Sequence, residues 1–104
     1  MTGLAVTGED SAYVSGERVF GPPVGTFDIE WVAREVERGA GCTRHDAHRG
    51  VRAAWVAARA TASLDEALLA DAVGAEGLPG DTVRVVVGQV VAYCRAYEVD
   101  PAAR

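Results

Sequence analysis

Residues Thr82–Tyr97 read TVRVVVGQVVAYCRAY, and whether this stretch is a strand or a helix decides the fold. Val83, Val85, Val86, Val87, Val90 and Val91 favour a strand, because β-branched side chains pack well on a pleated surface. The spacing argues for a helix. Val83, Val87, Val90, Cys94 and Tyr97 step by four and three residues, the period of one helix face, and the run is longer than an ordinary strand. Asp81 before it offers a cap and Pro101 after it a stop. The spacing therefore predicts a helix over 82–97 whose Val83, Val87, Val90, Cys94 and Tyr97 form core or an oligomer interface. Val85, Ala92 and Ala96 fall off that stripe. A helix apolar on more than one face is central in its fold or shared with a second copy, so a homodimer is one expectation.

Working upstream, Ser63-Leu-Asp-Glu66 has the form of a capping box. It predicts a helix opening at Ser63, burying Leu64, Leu68 and Val73 and stopping at Gly74 to Gly80. Thr43-Arg-His-Asp46 is a similar box with Asp in place of Glu, and it predicts a helix continuing to Ala62 with Val51, Trp55, Ala58 and Ala62 on one face. A first helix is expected from Asp28 to Arg38. Its N-cap is Thr26 or Asp28, its buried stripe is Ile29, Val32, Ala33 and Val36, and Gly39-Ala40-Gly41 ends it. Gly21-Pro22-Pro23-Val24-Gly25 forbids both helix and central strand. Before it, Leu4–Thr7, Ala12–Val14 and Arg18–Phe20 are short β-prone runs separated by turn residues. The expected fold is mainly α (α+β): a short β-hairpin or meander at 4–20, then a compact four-helix core at 28–97, in a single domain of 104 residues.

Composition limits the functional classes. With 49% hydrophobic residues the chain can build one core without staples. All ten basic residues are arginine, and the net charge of −5 disfavours non-specific adhesion to nucleic acid or anionic lipid. Met1 to Tyr13 has neither a basic n-region nor an apolar h-region, and the apolar run from Val85 to Cys94 is interrupted by Gln89. Neither a signal peptide nor a membrane span is expected, and a cytoplasmic location follows, with Cys42 and Cys94 as reduced thiols.

Three groups of residues could carry chemistry. Cys42, His45 and His48 have a C-x2-H-x2-H spacing that could face one zinc ion. A structural site needs four ligands, however, and only Cys94 or Asp46 could complete it. The expectation is no metal and no cofactor. The histidines could also serve as general acid and base, but no nucleophile elbow, P-loop, H-E-x-x-H or C-x-x-C accompanies them, so no enzymatic activity is expected. The second group is a charge concentration. Residues 42–63 carry Arg44, Arg49, Arg52 and Arg59 against the single Asp46, while the chain on either side is acidic. His45, Arg49, Arg52 and Arg59 fall in one broad helical sector opposite Val51, Trp55 and Ala58, which makes them the expected surface for an acidic protein partner. An ordinary solvated face, with its arginines paired to the protein's own carboxylates, explains the same pattern.

The third group is a helix-turn-helix formed by the last two helices, with Thr82-Val83-Arg84 opening a recognition helix. The turn from Gly74 to Asp81 is too long for it, and Arg84 and Gln89 are the main donors for base edges. The leading expectation is a small non-enzymatic regulatory or adaptor protein that binds another protein, with or without homodimerisation. It would use the Arg/His face or the surface near Tyr13 and Phe20. The alternative is a small winged or helix-turn-helix-like transcriptional regulator that places the same arginines on phosphates.

Overall fold

The computed structural model describes residues 24–103, and these form four helices: α1 Ile29–Ala40, α2 Arg44–Thr61, α3 Glu66–Gly74 and α4 Gly80–Ala96. No strand occurs among the described residues, so the structure is mainly α. The hairpin expected at 4–20, with Tyr13 and Phe20, lies outside the described residues. None of the helices is long and apolar enough to cross a membrane.

The Val-rich stretch is a helix, and it is one of two central ones. α4 packs against α1, α2 and α3, and α2 does likewise, whereas α1 and α3 do not touch each other. α4 contributes Val86, Val87, Val90, Val91, Tyr93 and Cys94 to the core, against Val32, Ala33 and Val36 of α1, Ala47, Val51, Ala54 and Ala58 of α2, and Leu69 and Val73 of α3. Val83 and Tyr97 of the expected stripe are only half-buried. The buried arc is centred nearer Val86 and Val90, because helices contact α4 on three sides. Val85, placed off the stripe, packs beside Gly39 of α1.

The helix starts show how local chemistry set the boundaries. Asp28 caps α1 by accepting from the Trp31 amide at 3.1 Å, and Gly41 closes it in the left-handed conformation, φ 67°. Thr43 Oγ1 accepts from the Asp46 amide at 3.1 Å, so Thr43 caps α2. Asp46 does not reach back as a capping box would; its carboxylate takes Arg49 instead. Two expected caps are displaced. α3 is capped by Asp65, which accepts from the Ala67 and Leu68 amides, while Ser63 accepts from the Asp65 amide in the turn before it. The buried face differs from the expected one as well: Leu69 is fully buried, Leu64 half-buried and Leu68 45% exposed. α4 begins at Gly80 behind Pro79 at the N-cap position, and Asp81 sits in the first turn with its carboxylate 2.5 Å from Arg84 Nη2. Proline fixes the extended φ that an N-cap needs and leaves no side-chain cap to make.

The chain ahead of α1 is tied to the far end of α4. The Gly25 amide donates to the Tyr97 carbonyl, and Tyr93 Oη donates to the Thr26 carbonyl. Phe27 stacks on Trp55 of α2, centroids 4.2 Å apart and planes 7° from parallel. This fixes one flank of α2 and leaves its opposite flank outward.

Candidate functional site

The outward flank of α2 and the C-terminal end of α3 enclose an open groove of about 1010 Å³. Its floor is apolar and shallow, made by Ala53, Val56 and Ala57 of α2 and Ala72 of α3. Arg44, His45, His48, Arg49 and Arg52 line the α2 side, and Glu76 stands on the α3 side. Val56 is 60% exposed, an aliphatic side chain held in solvent on the polar face of its helix.

Of the four expected contact residues, the structure brings His45, Arg49 and Arg52 to this groove and takes Arg59 elsewhere. Arg59 donates to the Pro101 carbonyl at 3.0 Å and to the Ala103 carbonyl, so its guanidinium holds the C-terminal turn against α2. Arg49 is also committed. It donates to the Glu76 carbonyl at 2.8 Å, pairs with Asp46 Oδ1 at 3.2 Å and lies 3.6 Å from Glu76 Oε1, joining α2 to the end of α3. Arg44 pairs with Glu37 of α1 at 3.4 Å. The protein's own carboxylates thus neutralise much of the cationic sector, and the carbonyls of its C-terminal turn hold Arg59.

Arg52 is the exception. Its only polar contact among the described residues is a long one, 3.5 Å from Nη2 to His48 Nδ1. His48 Nε2 meets Glu30 Oε2 of α1 at 2.6 Å. His45 is exposed on the same rim, two turns before Arg52.

The Cys42, His45 and His48 spacing does not produce a metal cage. No group of three or more His, Cys, Asp or Glu side chains is placed to hold one ion among the described residues. Cys42 precedes the helix and His48 turns toward Glu30. Burial, with Asp46 and Glu37 adding to it, pushes the Cys42 thiol up, and burial pushes Cys94 up to about 11. Both thiols therefore stay protonated at neutral pH, the opposite of an activated nucleophile. Thr82, expected to open a recognition helix, is buried, and Arg84 is paired with Asp81.

Sequence reasoning missed the groove's floor and its second wall. Val56 carried a signal: four residues after Arg52 and three before Arg59, it is an aliphatic side chain in a sector of cations. Ala72 and Glu76 carried none, because their place depends on how α3 docks. No protein-family model matches the chain, and no curated protein or solved structure matches it either.

Proposed function

We propose that this chain is a small non-enzymatic regulatory or adaptor protein that acts by binding another protein on the outer flank of α2. The observation that carries this reading is the pairing of an apolar floor, exposed Val56 with half-buried Ala53, Ala57 and Ala72, with a rim on which Arg52 has no carboxylate partner among the described residues. Apolar surface rimmed by charge is what a specific protein contact uses, since burial supplies affinity and the rim selects the partner. The raised thiols add support for a binding role over a covalent one. The nucleic-acid alternative has less behind it, because Arg44, Arg49 and Arg59 are held by intramolecular partners and α4 is buried rather than presented to a groove.

The test is a photo-crosslinking benzoylphenylalanine in place of Val56, compared with one in place of Arg34 on α1, in cells that produce the full chain. Adducts at position 56 that survive nuclease and are digested by protease are expected, with none at position 34. A nuclease-sensitive adduct, or none from position 56, would overturn the reading.

A further inference from the structure

We infer that the occupant of the α2–α3 groove is an acidic amphipathic helix of the partner protein, seated with its carboxylates against Arg52 and His45. This rests on the binding role proposed above and goes further by giving the partner segment its conformation, charge and orientation.

The shape selects a helix. Every described element is helical, so the groove walls offer no unpaired sheet edge to which an extended segment could add its backbone hydrogen bonds. A helix brings its backbone bonds already made. The lining on α2 runs from Arg44 to Ala57, a helical rise of about 20 Å, which matches an occupant of three to four turns. The floor is short: Ala53, Ala57 and Ala72 project one carbon each, and this lets a helix axis approach to the usual 8–10 Å of helix packing. Val56, the largest and most exposed member of that floor, packs between two occupant side chains.

The charge selects an acidic one and sets its direction across the groove. On the α3 wall, Glu76 is already engaged by Arg49, so that wall is internally neutralised. On the α2 rim, Arg52 has no carboxylate partner among the described residues, and His45 lies exposed two turns before it. A carboxylate arriving on that edge replaces a single 3.5 Å contact to an imidazole nitrogen with a charge-assisted, bidentate one. His48 keeps its bond to Glu30 throughout, so the exchange leaves the α1–α2 junction intact. A basic or neutral helix gains nothing at Arg52 and meets Arg44 and Arg49 besides.

The probe is a fluorescent synthetic peptide of about 14 residues, with Leu and Ala at i, i+3, i+4 and i+7 and Glu elsewhere. It is compared with a scrambled peptide of the same composition and with a Gln-for-Glu version, each titrated against the full chain by anisotropy. The amphipathic acidic peptide should bind, and both controls should bind at least about tenfold more weakly. Arg52→Gln should weaken the acidic peptide by about tenfold and leave the Gln version unchanged, and Val56→Asp should remove both. Circular dichroism on each variant confirms the fold. Equal binding of the scrambled peptide, no binding of the acidic one, or an Arg52→Gln effect equal to that of Arg59→Gln would overturn the inference. A protein adduct from position 56 with no binding of this peptide defeats the helix assignment alone, whereas the loss of both defeats the binding role as well.

Discussion

Gly50 of α2 and Val86 of α4 approach so closely that a methyl group on Gly50 would lie 2.9 Å from Val86 Cγ2. Leu78 Cδ1 would be 3.0 Å away on the other side. Val86 is fully buried, and its β-branched side chain is stiff about χ1. This contact is one place where the two central helices come together.

Gly50→Ala should therefore destabilise the protein by about 1–3 kcal/mol, although alanine is the better helix former, because overpacking outweighs propensity in a closed contact. Gly88→Ala is the control: nothing lies within 4 Å of the added methyl, so it should stabilise by about 0.5–1 kcal/mol. Chemical denaturation of both variants checks the pair. A stabilised Gly50→Ala protein would mean the helices are not packed this closely.

The junction of α2 and α3 gives a second test. Asp65 accepts two amide protons at the start of α3, and Ser63 accepts one in the turn. Asp65→Ala should cost about 1 kcal/mol, and Ser63→Ala clearly less. Ala62 ends α2 at φ 52°, a conformation that costs an L residue about 1 kcal/mol, so Ala62→Gly should raise the melting temperature. The reverse order of Asp65 and Ser63 would restore the capping box that the residue pattern suggested.

The pattern made the elements legible and left their phases open. Four-and-three spacing was enough to read Thr82–Tyr97 as a helix despite its valines, since periodicity reports burial on one face while propensity reports a weak local preference. Caps were less legible where two acceptors stand close together: Ser63 and Asp65 both suit the start of α3, and the docking of Leu69 rather than Leu68 settles which is used. Of the site, His45, Arg49 and Arg52 could be read from helical spacing. Arg59 could not be separated from them, because its partners at Pro101 and Ala103 lie 42 and 44 residues away.

Cys94 should make stability fall at high pH. Burial holds its thiol up at about 11 against an ordinary value of 9.0, so the folded state keeps a proton that the unfolded state releases. Its contribution is fully present below pH 9 and is lost as the pH rises toward 11. Cys94→Ala should flatten that alkaline decline while lowering stability at pH 7 through the cavity it leaves. Denaturation midpoints measured at pH 7, 9 and 10.5 would show this, and an unchanged slope in the variant would assign the decline to other groups. In the folded protein, Cys42 should react with an alkylating reagent before Cys94, which is 2% exposed.

Arg52 and Arg59 are two turns apart on α2, yet they should behave as opposites. Arg59 donates to the carbonyls of Pro101 and Ala103, so Arg59→Gln should lower stability by about 1 kcal/mol, the usual worth of such bonds, and speed exchange of the Ala103 amide. It should leave the groove's affinity for an acidic helix unchanged. Arg52 makes one long contact to His48, so Arg52→Gln should leave stability within about 0.5 kcal/mol of the parent, as expected for an exposed charge. It should instead weaken association and flatten its dependence on salt, because screening acts only on charges the complex uses. Melting curves and salt-dependent titrations of the two single variants separate these roles. If Arg59→Gln alone flattened the salt dependence, the electrostatic contact would move off the groove to the end of α2, and the docking surface would have to be redrawn around the C-terminal turn.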